Sequence, residues 1–361
     1  MTADTAGAVW TYALELAGAL AGHGVSVALA TMGRLPDDEQ RAEAGRIRNL
    51  KLYESAFLQE WMEDPWPDVT AAGEWLLELR DLLQPDLVHL NGYAHAALPW
   101  RRPVVVAAHF CMLSRWTALH GGTPPPAWGR YRSQVQRGLL AADVVVAPNR
   151  AMLEVVEHHH GPLACGRVVP NGRDHCLFLP RAKQPYILAA GRRWDEAKNL
   201  AALDEAARTV EWPVFLAGEP LGPSPSASEV ATHYTHPLGY LPPRLLAAWL
   251  GRAAIYALPA RYEPFGLSVL EAALSGCALV LGDIPTLREL WDETALFVHP
   301  DDTAGLARAL RILCADATLR TRLAQRSRAR ALELSPERMA QGYLEAYVLA
   351  GRSAAARNVF A

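Results

Sequence analysis

The sequence predicts an α/β protein made of two doubly wound parallel sheets, and three observations carry that prediction. Short apolar runs alternate with stretches of helical period. The runs are continuously apolar, as strands covered on both faces must be. The alternation starts afresh beyond about residue 180, which calls for a second sheet. At 361 residues the chain is long enough for two domains of roughly 100–200 residues each.

In the first half, Val9, Tyr12, Ala13, Leu16 and Leu20 share one helical face, so Trp10–Ala21 is predicted helical, with Gly22 and Gly24 punctuating its end. Buried strands are predicted at Val25–Ala30, Asp86–Leu90, Pro103–Ala108 and Asp143–Ala147. The polar segment Asn171–Gln184 marks a boundary. Beyond it, strands are expected at Tyr186–Ala190, Pro213–Ala217, Ala254–Leu258, Cys277–Leu281 and Leu296–Val298. Helices are expected near 199–209, 243–251, 267–275, 303–315 and 316–334. The expected domains are 1–175 and 176–337, followed by a terminal helix within 338–361. Gly121–Pro126 and Gly222–Ser228 read as surface loops, the first also a candidate for function. Two doubly wound domains side by side would bring the carboxyl ends of both sheets to a central cleft, where such sheets bind ligands.

Bulk properties narrow the function. Apolar residues make up 51% and charged residues 20%, an ordinary globular balance. The formal net charge of −3 supplies no global field for nucleic acid. No apolar run approaches the roughly 18 residues of a membrane span, although weak peripheral membrane contact stays open. The N-terminus lacks a signal peptide's basic start and apolar stretch, so a cytoplasmic protein is expected. Cys111, Cys165, Cys176, Cys277 and Cys314 are scattered and read as reduced thiols. His158–His160 reads as an exposed helix end, and no metal site is expected.

Two segments carry chemistry. Arg261-Tyr-Glu-Pro-Phe-Gly266 follows a predicted strand and turns tightly into a helix at Leu267. The N–H groups of that helix start form a natural phosphate site. Glu263 and Glu271, eight positions apart, cannot bind phosphate and suit hydroxyls of a ribose and a sugar. The second segment, Ala190-Gly191-Arg192 through Lys198-Asn199, leaves the first strand of the second half. Arg192 and Lys198 could stabilise a diphosphate as its charge develops. In the first half, Gly7 would let backbone approach a ligand, and His109 follows the strand Pro103–Ala108. Val169–Asp174 reads as a hinge. There is no Asp-x-Asp, no complete Gly-x-Gly-x-x-Gly and no Walker-type phosphate loop.

These residues resemble glycosyltransferase family 4. Glu263-Pro-Phe-Gly-Leu-Ser-Val-Leu-Glu271 is similar to its E-x7-E signature. Pro170-Asn-Gly172, Gly191-Arg192 with Lys198, Ala217-Gly218, Gly239-Tyr240, Asp283–Leu290 and Val298–Asp302 also match. The resemblance implies a GT-B fold of two Rossmann-like domains and a metal-independent transfer with retention. No resident cofactor is implied, since the nucleotide-diphosphate-sugar is a co-substrate. The resemblance puts Arg192, Lys198, Gly266 and Leu267 on the diphosphate. It puts Glu271 on the ribose, Glu263 on the transferred sugar and His109 near that sugar. Gly239, Tyr240 and Leu241 would flank the base, Phe265 would lie in the donor loop, and the last helix would return to the first domain. The partners expected are this donor and an unidentified hydroxyl acceptor, with no nucleic acid.

The sequence departs from the family in three places. The first strand looks shortened, Ala8 stands where a second glycine is usual, and Lys198 lies one residue further from Gly191 than is commonest. The short start suggests that the true one lies upstream. Two other functions fit the fold: a nucleotide-binding relative without catalysis, and a nucleotide-sugar epimerase or phosphorylase.

Overall fold

The computed structural model describes residues 1–219 and 232–359. The expected loop Gly222–Ser228 lies outside the described residues. The chain divides into two compact units. One is Met1–Thr117 with Gly122–Gly172 and Pro336–Ala361; the other is Arg173–Ser335 with Ala118–Gly121.

The strands of the first unit are β1 (Thr2–Asp4), β2 (Val27–Met32), β3 (Leu50–Glu54), β4 (Val88–Leu90), β5 (Val104–Ala107), β6 (Val144–Ala147) and β7 (Gly166–Val168). They form two parallel ladders, β1-β2-β3 and β4-β5-β6-β7. Between β1 and β4 the join is made by a side chain. The Asn91 backbone N–H donates to the Thr2 hydroxyl at 2.9 Å, and its Nδ2 donates to the Thr2 carbonyl at 2.6 Å. The strand read as shortened is indeed three residues long, and its ladder partners all lie on β2. The following helix, Ala8–Leu20, begins two residues before its predicted start.

Alternation along the strands builds two cores. Val104, Val106 and Val145 face one cluster, with Leu76, Leu139 and Met152. Val105, Ala107, Val144 and Val146 face the other, with Met339, Tyr343 and Ala346. The last helix, Pro336–Val359, is therefore part of the first unit's core. Tyr347 on that helix pairs its hydroxyl with Nδ1 of the buried His89 at 2.8 Å, and His89 Nε2 meets the Tyr12 hydroxyl at 3.3 Å.

The second unit holds one six-stranded parallel sheet: β8 (Gln184–Ala190), β9 (Val214–Ala217), β10 (His236–Gly239), β11 (Ala253–Leu258), β12 (Ala278–Gly282) and β13 (Ala295–Val298). The order is β10-β9-β8-β11-β12-β13. After β8 the chain winds one way and after β11 the other, so β8/β11 is the topological switch point. A crevice for ligands opens there at the carboxyl ends. Ile187 and Ala189 pack on one face, Leu188 and Ala190 on the other.

Strand β10 has no apolar run to announce it. Its place is set by the buried Asp204, whose carboxylate accepts backbone N–H bonds from His233, Tyr234 and Thr235 and the Thr235 hydroxyl. Beside it, Gly218 donates its N–H to the Gly239 carbonyl at 2.8 Å. Gly218 has φ +144°, and a Cβ there would lie 1.9 Å from the Gly191 carbonyl oxygen. Gly218→Ala should therefore cost about 1–3 kcal/mol or more through overpacking and backbone strain. That corresponds to roughly 2–4 °C of thermal midpoint for each kcal/mol. An unchanged midpoint in scanning calorimetry would contradict this close approach.

Candidate active site

The loop after β8 is braced from within. Asp195 caps the short turn Glu196–Lys198 by accepting the Ala197 N–H at 3.1 Å. Its other oxygen takes Arg192 Nη2 at 2.9 Å, and the Arg192 guanidinium lies over Trp194 at 4.9 Å. Asn199, at φ 56°, donates through Nδ2 to the carbonyls of Pro259 and Pro300 at 2.9 and 2.8 Å. The Arg261 N–H bonds the Ala197 carbonyl at 2.9 Å, which ties the loops after β8 and β11 together.

This bracing brings Lys198 to Glu263. Nζ and Oε2 are 2.5 Å apart, with side chains only 16% and 11% exposed. The lysine stem lies along Gly191, where a Cβ would come within 3.3 Å of Lys198 Cγ. Glu263 is in turn held by its own backbone, whose carbonyl accepts the Thr286 hydroxyl at 2.6 Å.

Gly266 turns the chain into the helix Leu267–Leu274 at φ +88°. A Cβ there would approach Val269 Cγ2 at 3.1 Å. The first N–H groups of a helix have no intrahelical partners and carry the positive end of its dipole, an arrangement suited to phosphate. Phe265, in the same loop, is 4% exposed, and its side chain is part of the core beneath the turn. Glu271, on the helix, is also buried. Arg173 Nε donates to its Oε1 at 2.8 Å, and the Arg173 guanidinium sits 4.9 Å from the Phe178 ring centre. At the end of β10, Gly239 takes φ +70°, Tyr240 is 60% exposed and Leu241 is half-buried.

Lys198, Glu263, Gly266, Glu271 and Arg192 thus gather at the carboxyl ends of β8 and β11. Gly7 and His109 belong to the first unit. Gly7 precedes the helix Ala8–Leu20 at φ 114° with open space where a Cβ would go, so conformation rather than crowding calls for glycine. Ala8 is the first helical residue and has no positive φ, so it takes its place without left-handed strain.

His109 follows β5 and meets the Tyr12 ring edge-on at 4.2 Å between centres. Its Nε2 lies 3.0 Å from Asn91 Oδ1. Because Asn91 Nδ2 is committed to the Thr2 carbonyl, Oδ1 is the acceptor. The His109 proton therefore sits on Nε2, leaving Nδ1 as an acceptor.

Sequence reasoning missed three groups here: Asp195, which holds Arg192; Arg173, read as part of a hinge; and Asn91. Asn91 directly follows the buried strand Val88–Leu90, whereas Asp195 and Arg173 lie several residues beyond theirs and carry no such signal. The second unit begins at Arg173 and so includes Asp174 and His175, and the Arg173 guanidinium pairs with Glu271 within it. Asp174, His175 and Cys176 bring three potential metal-ligating atoms within 4.8 Å of one another. His158–His160, read as an exposed helix end, is so only in part: His160 is buried, its Nε2 3.6 Å from Cys111 Sγ.

The comparisons accord with this geometry. Residues 9–176 match the family described as Glycosyltransferase Family 4, and residues 184–316 match Glycosyl transferases group 1. Sucrose-phosphate synthase from Thermosynechococcus elongatus superposes with a TM-score of 0.80 at 19% identity, over 96% of this chain and 94% of that one. Anabaena HepE, in complex with UDP and glucose, superposes with a TM-score of 0.73 at 15% identity, over 96% and 99%. The fold is GT-B, an α/β architecture with parallel sheets in two Rossmann-like domains. A glycogen synthase of Mycobacterium tuberculosis is 30% identical over 270 residues, 68% of this chain and 64% of that protein. The match thus spans just under two thirds of that relative's length. The chain belongs to glycosyltransferase family 4.

The buried imidazoles of the first unit set its response to acid. Desolvation pushes His109 and His160 down to about 4 from an ordinary 6.5, and pushes His89 well down too. Between those values the unfolded chain binds protons that the native chain does not, so stability falls as pH drops from 6.5 towards 4. The thermal midpoint should decline over that window, and His109→Gln should lessen the slope by up to about one proton. A slope identical in wild type and variant would contradict a neutral, buried His109.

Proposed function

We propose that this chain is a retaining, metal-independent hexosyltransferase that takes its sugar from a nucleotide-diphosphate donor and passes it to a hydroxyl acceptor. The observation that carries the reading is the ion pair of Lys198 with Glu263 beside the Gly266 helix start. It sets a cation, a carboxylate and a helix N-terminus together at the switch point of a doubly wound sheet. The donor diphosphate engages Lys198, the N–H groups at Gly266 and Leu267, and Arg192 once it turns from Asp195. Glu263 accepts hydroxyls of the transferred sugar and Glu271 those of the ribose. Gly239, Tyr240 and Leu241 flank the base, and His109, neutral at physiological pH, contacts the sugar.

As the glycosidic bond to the diphosphate breaks, negative charge grows on the leaving oxygen. Lys198 and the helix start meet that charge in place. The acceptor hydroxyl attacks from the leaving-group side, which retains the anomeric configuration, and its proton passes to the departing phosphate oxygen. No side chain is needed as a covalent nucleophile. The first unit selects the acceptor. Among the described residues no helix is long and apolar enough to cross a membrane, in keeping with a cytoplasmic enzyme that makes at most peripheral membrane contact.

The HepE complexes make UDP the first nucleotide to try. A thermal-shift series with UDP, GDP, ADP, CDP and dTDP should single out one diphosphate. At about 100 times its dissociation constant a ligand adds roughly 2.7 kcal/mol, a shift of several degrees. The shift should be the same with Mg²⁺ or EDTA. No response to any nucleotide, or a response that EDTA removes, would refute the reading.

A further inference from the structure

A second cavity of about 290 Å³ opens in the second unit between the segment Arg173–Arg181 and the helix Pro243–Arg252. One wall is apolar, formed by Phe178, Leu177 and Leu179. Phe178 is buried, but Leu177 and Leu179 remain 50% and 56% exposed. The other lining groups include Arg181 and Arg244. Neither guanidinium has an ion-pair partner among the described residues. The Arg181 backbone is fixed by its N–H bond to the Gly251 carbonyl at 3.0 Å. Gly251 is itself pressed close, since a Cβ there would lie 2.9 Å from the Leu179 carbonyl and 3.2 Å from Arg181 Cγ. The Arg181 stem thus lies against the last turn of the helix that carries Arg244 near its start, and both arginines are exposed.

We propose that this cavity binds a small phosphate ester, its phosphate met by Arg181 and Arg244 and its apolar or ring-shaped body seated on the exposed Leu177 and Leu179. Two cations at one cavity repel each other unless an anion joins them. The planar forks of arginine match phosphate oxygens two at a time. The volume lies at the lower limit of small-molecule sites, roughly 300 Å³, which suits a phosphate on one ring and is too small for a nucleotide-sugar. The ester could be a soluble metabolite or a lipid headgroup, because the half-exposed leucines would serve either.

The site would also speak to the donor site. Arg173 lines the cavity and donates to Glu271 at 2.8 Å, so an anion drawing on its guanidinium changes the setting of that carboxylate. By linkage, donor nucleotide and phosphate ester then alter each other's affinity. This coupling rests on the proposed role of Glu271; the binding site itself does not.

The test is calorimetric titration of phenyl phosphate into the full chain, with excess UDP present to cover the donor's phosphate site. One binding site is expected, at least tenfold weakened in the double variant Arg181→Ala/Arg244→Ala, whose response to UDP stays as in wild type. Phenol and inorganic phosphate should each bind at least tenfold more weakly than phenyl phosphate. Co-sedimentation with phosphatidylglycerol vesicles separates the sources. Arginine-dependent sedimentation assigns a lipid headgroup, and its absence, with phenyl phosphate still bound, assigns a soluble ester. No binding, binding unchanged in the double variant, or equal affinity for inorganic phosphate overturns the proposal. If none of the five nucleoside diphosphates binds while phenyl phosphate binds through the arginines, the transferase reading falls and this site stands.

Discussion

The Lys198–Glu263 ion pair joins the ends of two strands that are neighbours in the sheet and far apart in the chain. Nearly closed to solvent, it would be costly if either partner were missing. Much of the surrounding backbone is arranged so that both arrive. Gly191 makes room for the lysine stem, Asn199 ties its loop to Pro259 and Pro300, and Thr286 fixes the glutamate's carbonyl. A pair of this kind adds little net stability, since desolvation offsets attraction. What it supplies is position: a cation and a carboxylate held in place before a ligand arrives.

Glu271 repeats the arrangement one helix turn further in, with Arg173 as its cation. The two carboxylates flank the Gly266 turn, and each is paired by a group from another segment. The signature spacing of eight residues therefore has a physical content. One acid stands before the turn, one on the buried face of the helix, and the helix start with its N–H groups lies between them. In the first unit, Asn91 works similarly with neutral groups. It stitches β1 to β4 and fixes the proton of His109 in one act.

Much of this was legible in the sequence where apolar runs were continuous. Val104–Ala107, Val144–Ala147 and Ala253–Leu258 are wholly buried strands and read as such. Strand β1 was read only as a shortened first strand, through the family resemblance. Strands β3, β7 and β10 were not legible, for distinct reasons. Gly166–Val168 is too short for a period. Leu50–Glu54 is an edge strand with polar residues facing out. His236–Gly239 is held by Asp204 rather than by its own composition. The donor-side residues were readable because glycine, proline and charge fall in a recurring order around one turn. Arg173, Asp195 and Asn91 were not, because each acts on another residue's side chain through long-range or local pairing that spacing does not reveal. Phe265 is marked by the motif, and its burial makes its side chain an anchor for the turn.

The central claim is that Lys198 meets the charge of a donor's terminal phosphate. It is tested most directly by titrating the preferred nucleoside diphosphate and its monophosphate into wild type and Lys198→Met. A charge-assisted bond of about 1.5–3 kcal/mol corresponds to a preference for the diphosphate of at least roughly tenfold in wild type. The account predicts that Lys198→Met removes most of this preference and leaves the affinity for the monophosphate nearly unchanged. A preference that survives the substitution, or an equal loss for both nucleotides, would contradict it.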